Sequence, residues 1–188
     1  YFNRWLKRAG RYVPFMREVF KMEGLPEDLV YAALVESGFN PHAQSPKRAL
    51  GMWQFIEGTG KYYGLASNHW LDERKSVEKA TMAAARHLKS LYEKFGTWEL
   101  ALAAYNCGSV RMSDAIKEQG TNNFWELILP AETEAFVPKV FATVMIAKEP
   151  DIYGFMPEFE NPEEYDELSI SGCVDLKVIA ECCNAPLK

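Results

Sequence analysis

A chain of 188 residues, 48% of them hydrophobic, can bury one substantial core and is too short for several large domains. Its net charge of -5 does not provide the strongly basic surface of a nucleic-acid binder, so we expect no nucleic-acid partner. No apolar run approaches the ~20 residues of a membrane span, no signal peptide is visible in the sequence, and the first residue is Tyr rather than Met. We therefore expect a fragment or a processed chain, in which any membrane tether would lie in sequence absent here.

The N-terminal part is predicted to be helical. A helical pattern of apolar residues precedes Gly24, and Pro14 is predicted to mark a kink or a fresh start within it. A second helix is predicted from Pro26 to about Ser37, because proline suits a first helical turn and acidic residues follow it at the positive end. Gly38 is expected to end this helix.

Two more helices are predicted in the middle of the chain. Apolar residues recur at steps of three and four from Val77 to Phe95, Ser76 suits the N-cap, and Gly96 follows the last turn. The next helix is predicted to begin after Thr97 and to stop near residue 108, where glycine favours a left-handed cap. Strand patterns are almost absent, so an all-α fold is expected.

The C-terminal part changes in composition. A helical pattern runs from about Glu132 to Lys148, with Pro138 marking a kink or a fresh start. Residues 149–167 then hold eight acidic residues, no Lys or Arg and three prolines; without those eight acids the net charge is +3. We predict one domain over residues 1–148, followed over residues 149–188 by an acidic linker or strap and a short appendage.

The cysteines and histidines do not form a recognisable metal-ligand pattern. The four cysteines, Cys107, Cys173, Cys182 and Cys183, contain no CxxC pair, and the three histidines have no ligand spacing with them. We therefore expect neither a metal nor a cofactor. A local disulfide among the three C-terminal cysteines is left open.

One carboxylate falls on an apolar helix face. Leu29, Ala33 and Glu36 are spaced four and three residues apart, so the Glu36 side chain shares the face that the other two bury. Burial disfavours the charged form of a carboxyl, which raises its pKa and suits it to general-acid catalysis. The spacing alone equally fits a Glu that emerges into solvent or pairs with a neighbouring base.

Three short motifs carry a resemblance to a known family. They are residues 36–41 (ESGFNP), 51–55 (GMWQF) and 104–108 (AYNCG). In order and separation they resemble the Glu-Ser, Gly-Leu-Met-Gln and Ala-Tyr-Asn-Ala-Gly motifs of the soluble lytic transglycosylase superfamily, glycoside hydrolase family 23. Residues 58–65 (GTGKYYGL) and 70–74 (WLDER) further resemble membrane-bound lytic murein transglycosylases of that family.

The resemblance implies a lysozyme-like helical domain that acts on peptidoglycan glycan strands. Glu36 matches the family's single acid/base, which cleaves the bond between N-acetylmuramic acid and N-acetylglucosamine and leaves a 1,6-anhydro product. The substrate's own N-acetyl group would replace the second carboxylate of other glycosidases. The resemblance also implies a periplasmic or cell-envelope location, with the protein tethered to a membrane or free, and we expect a monomer.

The family motifs assign substrate contacts to Ser45, Met52, Gln54, Tyr105 and Asn106. A serine near the N-acetyl group, a glutamine that binds sugar, and a tyrosine and an asparagine near the acid are the roles that the resemblance implies. Each residue also has a purely structural reading. Ser45 could form a turn before Pro46, and the motif with Met52 and Gln54 could be a tight turn that has Trp53 and Phe55 in the core. Tyr105 could be a half-buried ring, and Asn106 could cap its helix.

The sequence departs from the family at two places. Cys107 stands where the third motif usually has Ala, and a buried Cys behaves as a small hydrophobe. Phe136 stands where relatives commonly have Tyr, so a hydroxyl that could orient Glu36 is missing. Near the C-terminus, residues 174–182 (VDLKVIAEC) resemble the opening of a LysM-type segment that the chain does not complete.

Two other functions fit the same motifs. A goose-type lysozyme shares the architecture and adds water instead of forming the anhydro ring, and a catalytically silent glycan-binding module would keep only the groove. A purely structural helical module is also compatible with the composition.

Overall fold

The computed structural model of the protein describes residues 2–162, 170, 172–184 and 186. In this part of the chain the regular structure is helical, and the only β-type pairings are isolated bridges. The α-helices are α1 (Phe2–Met22), α2 (Ala32–Ser37), α3 (Glu57–Tyr62), α4 (Val77–Phe95), α5 (Trp98–Cys107), α6 (Ser109–Gln119), α7 (Ala131–Lys148) and α8 (Leu176–Cys182). Short 3-10 turns cover Glu27–Tyr31, Glu73–Lys75 and Phe124–Glu126.

The central helices α4 and α5 begin and end where the sequence predicts. The Ser76 hydroxyl accepts a hydrogen bond from the amide of Lys79 at 3.2 Å, and Gly96 closes α4 with a left-handed φ of 80°. The faces of α4 and α5 that pack together are rich in fully buried alanines. Small side chains let the two helix backbones approach closely, so this pair forms the centre of the core.

The segment after Pro26 differs in detail from the predicted helix. Pro26 itself is extended, with ψ at 123°, the next five residues form a 3-10 turn, and only Ala32–Ser37 is α-helical. Gly38 ends α2 with a φ of 62°, and a Cβ at this position would lie 2.3 Å from the Trp5 indole. The Gly38 carbonyl also accepts a hydrogen bond from Arg8 at 3.1 Å, so α1 fixes the end of α2.

Three helices, α3, α6 and α8, were not predicted, and two prolines do not interrupt their helices. Helix α3 contains two glycines and α6 buries only Met112 and Ala115, so neither segment shows a clear apolar period. Pro14 and Pro138 lie inside α1 and α7, both of which continue past the proline without a fresh start. The surrounding packing therefore overrides the local cost of each proline.

The acidic segment after α7 packs back onto α1. The amide of Glu160 donates a hydrogen bond to the Lys7 carbonyl at 2.9 Å, its carboxylate lies 3.2 Å from Arg11, and the rings of Phe155 and Phe2 are 5.0 Å apart. Residues 163–169 of the predicted strap lie outside the described residues. Where described, the C-terminal cysteines are exposed free thiols, so the local disulfide left open by the sequence is not formed.

Candidate active site

An open groove of about 1090 Å³ runs along one side of the helical domain. Its walls come from the end of α2, the loop between α2 and α3, one position each of α3 and α4, the C-terminal end of α5, helix α6 and the start of α7. Five of the six site residues predicted from the sequence line it: Glu36, Ser45, Gln54, Tyr105 and Asn106. The groove therefore gathers residues from three motifs that are up to 70 positions apart in the sequence.

Glu36 lies in the last turn of α2, with its side chain half-buried in the groove. Within the described part of the chain, no hydrogen bond or ion pair is found on its carboxyl. Burial, and secondarily the nearby Glu132 carboxylate, raises the pKa of Glu36 from an ordinary 4.5 to about 8. The carboxyl is therefore mostly protonated at neutral pH, which is the state that a general acid requires.

The pH dependence of catalysis follows from this pKa. If protonated Glu36 is the essential acid, kcat/KM falls as the pH rises through about 8, because the acid loses its proton there. Initial rates of glycan cleavage measured between about pH 5 and pH 10 check this expectation. A decline centred near the ordinary carboxyl pKa of 4.5 would show that Glu36 is solvated in the working enzyme.

Ser37, next to Glu36, ties α2 to the loop that forms the opposite wall. Its hydroxyl lies 2.7 Å from the Met52 carbonyl and 3.1 Å from the Ala33 carbonyl, to which it can donate, and it accepts from the amide of Asn40 at 3.1 Å. The second position of the Glu-Ser motif is therefore a positioning residue, which was not assigned from the sequence.

Ser45 stabilises the loop and keeps a donor free. Its hydroxyl oxygen accepts a hydrogen bond from the Ala49 amide at 3.0 Å, and its own amide donates to the Ala49 carbonyl at 2.9 Å. The hydroxyl proton is not used in these contacts. The turn and the substrate-contact readings are therefore compatible, because Ser45 closes a turn and also lines the groove.

Gln54 has a strained backbone, and its side-chain nitrogen is hydrogen-bonded within the loop. Its φ of 51° lies in the left-handed region that favours glycine, and its side-chain nitrogen donates to the carbonyls of Ala43 at 3.1 Å and Gly51 at 2.7 Å. Both amide protons are thus used within the loop. The side-chain oxygen has no partner among the described residues and remains available as an acceptor in the groove.

Met52 was predicted as a substrate contact, and the structure places it in the core instead. Its side chain is 1% exposed and does not line the groove. Neighbouring Trp53 is also fully buried, with its ring stacked on Phe20 at 5.5 Å and its indole nitrogen donating to Thr81 at 3.0 Å. The two residues anchor the loop, while the following Gln54 turns toward the groove.

Tyr105 and Asn106 connect the end of α5 to both sides of the groove. The Tyr105 hydroxyl donates to the Trp53 carbonyl at 2.8 Å, and the Asn106 side-chain oxygen accepts from the buried Thr133 hydroxyl at 2.8 Å. Burial, and secondarily the charge of Glu36, raises the pKa of Tyr105 well above its usual value, so the hydroxyl stays protonated. Asn106 thus links α5 to α7 rather than capping its own helix.

Phe136 is buried in the core on α7 and does not line the groove. The position at which relatives commonly carry a tyrosine hydroxyl is therefore filled by an apolar ring. Its location agrees with the finding that no hydroxyl within the described residues bonds to Glu36. Cys107, the other departure, is a half-buried free thiol at the groove wall.

Arg74 positions the loop that carries Gln54, a role that its place in the WLDER motif did not indicate. Its buried guanidinium donates to the carbonyls of Arg48 at 3.3 Å and Phe55 at 3.2 Å, and pairs with Asp72 at 2.6 Å. These bonds hold both arms of the loop to the 3-10 turn before α4. Helical periodicity does not indicate which arginine will bond to the carbonyls of a distant loop. The anchoring role of the Arg74 guanidinium is therefore found only in the tertiary structure.

His87 also lines the groove and was missed. It projects from α4, and its imidazole lies among the rings of Tyr63, Tyr105 and Phe55, with centroids 4.8, 5.0 and 6.2 Å away. Burial lowers the pKa of His87 to about 4, so the ring is neutral at ordinary pH. In the sequence, nothing distinguishes position 87 from the other residues of the α4 helix.

Two charged residues face each other across the groove mouth. Lys47 lies 3.5 Å from Glu132, and both side chains are largely exposed, so the pair contributes little to stability. The next residue, Arg48, does not line the groove. Within the ranges described, no cluster of three or more His, Cys, Asp or Glu side chains could hold a metal ion.

A compact helical fold with a protonated carboxyl at a helix end, inside an open groove, defines a lysozyme-like domain. The chain belongs to the transglycosylase SLT domain family, whose sequence model matches residues 15–128. Over 180 residues it is 36% identical to membrane-bound lytic murein transglycosylase D of Escherichia coli K12, covering 93% of this chain and 40% of that protein. The chain thus spans less than half the length of this relative.

Two solved structures share the fold. The 70 kDa soluble lytic transglycosylase of Escherichia coli superposes with a TM-score of 0.60 at 23% identity, over 73% of this chain and 24% of that one. An inactive mutant of the lytic transglycosylase Slt of Pseudomonas aeruginosa gives the same TM-score and identity, over 77% and 25%. The predicted all-α, lysozyme-like class is therefore confirmed.

Among the described helices, none is both long and apolar enough to cross a membrane.

Proposed function

We propose that this protein is a peptidoglycan lytic transglycosylase. It would cleave the β-1,4 bond between N-acetylmuramic acid and N-acetylglucosamine and leave a 1,6-anhydro-N-acetylmuramic acid end. The observation that carries the proposal is the buried Glu36 carboxyl, with its pKa raised to about 8, in a groove lined by residues of the three family motifs. The name of the Escherichia coli relative, a murein transglycosylase, supports the same substrate class.

The proposed reaction uses Glu36 first as an acid and then as a base. Glu36 donates its proton to the glycosidic oxygen as the bond from that oxygen to C1 breaks, while the acetamido oxygen of the same sugar bonds to C1. The muramic 6-hydroxyl oxygen then attacks C1 and displaces the acetamido oxygen, and its proton returns to the Glu36 carboxylate. The protein is thus regenerated without water, metal or cofactor as a reactant.

The groove walls offer groups that suit this substrate. The free hydroxyl proton of Ser45 can donate to an acetamido carbonyl, and the unpartnered oxygen of Gln54 can accept from a sugar hydroxyl or amide. Tyr105 contributes an aromatic edge beside Glu36. Asn106 remains a proposed contact, although its oxygen is already bonded to Thr133 and leaves only its amide protons for sugar.

The cellular setting is proposed from the relatives. The matched Escherichia coli protein is described as membrane-bound, and we infer that this domain works in the periplasm or cell envelope, on glycan strands. We also propose that it acts as a monomer and that residues 149–188 form a linker and a short appendage after the catalytic domain at residues 1–148.

Digestion of purified sacculi tests the proposal. We expect mass spectrometry to show muropeptides ending in 1,6-anhydro-N-acetylmuramic acid, which are lighter by one water than hydrolytic products. Reducing ends alone would establish a goose-type lysozyme instead. Sacculi that bind the protein but stay intact would support the silent glycan-binding module.

A further inference from the structure

The His87 imidazole is an unusual component of the groove wall because, among the described residues, it has ring contacts but no side-chain hydrogen bond. Tyr63 and Tyr105 pack against it with interplanar angles of 34° and 40°. Their hydroxyls bond elsewhere, Tyr63 with Ser90 at 2.7 Å and Tyr105 with the Trp53 carbonyl at 2.8 Å. Neither hydroxyl forms a hydrogen bond with the imidazole.

The two ring nitrogens differ in their surroundings. Nδ1 is buried and has no hydrogen-bond partner among the described residues. Nε2 is not buried in this way, and no protein group within the described residues bonds to it, so it is the more accessible nitrogen of a residue that lines the groove. A proton on Nε2 leaves only a lone pair at the buried position and presents an N–H to the groove.

A core role alone does not account for this residue. A polar ring buried without partners costs free energy that Leu or Phe at the same position would avoid. Every other ring around it is apolar or has its hydroxyl satisfied by the protein. The hydrogen-bonding capacity of the His87 imidazole that the protein leaves unused is therefore available to a ligand in the groove.

We propose that His87 is a substrate-binding residue whose Nε2–H donates a hydrogen bond to a neutral oxygen of the glycan, an acetamido carbonyl or a sugar hydroxyl. This proposal rests on the proposed function, which places a glycan in the groove. The depressed pKa keeps the ring neutral, and a neutral donor suits the uncharged oxygens of an amino sugar. The flat imidazole and the Tyr105 ring would together form a wall for one sugar ring.

A binding experiment tests the contact directly. The chain has three histidines, and His42 and His69 are exposed and do not line the groove, so they serve as internal controls. The tetramer of N-acetylglucosamine is titrated into the Glu36→Gln variant labelled with 15N at histidine, while binding is followed separately by calorimetry. We expect saturable shifts of the His87 ring nitrogens only. If calorimetry shows binding but the His87 nitrogen signals do not shift, the proposal is overturned. If calorimetry shows no binding, both the proposal and glycan recognition by the groove are overturned.

A pair of variants separates the hydrogen bond from packing. His87→Phe keeps a ring and removes the donor, whereas His87→Gln restores a donor without the ring. On glycan strands freed of peptides we expect His87→Phe to raise KM about threefold to tenfold. Its kcat should change little, and so should the fall of activity at alkaline pH that Glu36 causes. His87→Gln should recover part of the lost affinity. An unchanged KM in folded His87→Phe overturns the contact, as does equal impairment of both variants. Failure of the proposed function is distinct, because wild type would then release no anhydro product.

Discussion

Glu36→Gln is expected to abolish glycan cleavage, with kcat reduced by at least about a hundredfold to ten thousandfold. The amide has nearly the same shape as the carboxyl but cannot supply a proton to the glycosidic oxygen. Since no hydrogen bond or ion pair on Glu36 is found in the described part of the chain, the substitution breaks no such bond there. Turnover of sacculi and binding of intact glycan strands are measured on the same preparation. Lost turnover with retained binding is expected, and turnover near the wild-type rate would remove Glu36 from catalysis.

The same substitution is expected to stabilise the fold. Glu36 has a higher pKa in the folded than in the unfolded chain, so its contribution to stability is fully present below about pH 4.5 and is lost as pH rises through about 8. At neutral pH the native carboxyl is therefore destabilising relative to a neutral amide, by on the order of 1–3 kcal/mol. Denaturant titration of Glu36→Gln at pH 7 should show a higher midpoint, and the gain should shrink toward pH 4.

Glu132→Gln is the matched control for this variant. It removes the second carboxylate near Glu36, which acts on Glu36 only through its charge. We expect turnover to persist and the alkaline limb of kcat/KM to move to lower pH, because one cause of the raised pKa is gone. A loss as complete as that of Glu36→Gln would instead indicate two catalytic carboxylates and favour a hydrolytic mechanism.

The position of Glu36 could be inferred from the sequence because it depends on local spacing. Leu29 and Ala33 are buried as predicted, and the carboxyl that shares their face lies at the groove rather than in open solvent. The caps of α4 were predictable for the same reason, since Ser76 and Gly96 act on backbone groups within a few residues.

Other features depend on contacts between distant segments and leave no local pattern. His87 looks like any residue of α4 until the loop at Phe55 and the end of α5 enclose it. Met52 was misplaced because a motif identifies a loop but does not say which of its side chains turn inward. Arg74 anchors the loop because it donates to the carbonyls of Arg48 and Phe55, which lie far from it in the sequence.

Gly51→Ala is expected to damage both the fold and the site. Gly51 has a φ of 83°, and a Cβ there would lie 1.8 Å from the Arg74 carbonyl oxygen, a backbone atom that no rotamer change can move. The left-handed conformation alone costs alanine about 1–2 kcal/mol, and relieving the clash requires separating the loop from the turn that holds it. We expect a total loss of at least about 2 kcal/mol and a Tm lower by about 4–8 °C.

The effect on activity should exceed the effect on stability, because the displaced loop carries Ser45 and Gln54 on the groove wall. Gln54 donates directly to the Gly51 carbonyl at 2.7 Å, so a shift of that carbonyl moves the glutamine as well. The control is Gly58→Ala in α3, where a Cβ meets nothing within 4 Å and alanine favours the helix. Thermal unfolding and sacculus digestion, assayed well below the Tm of each variant, separate the two effects. Wild-type kinetics in folded Gly51→Ala would mean that the loop can leave Arg74 without moving Gln54, and that the close approach of these backbones does not shape the groove.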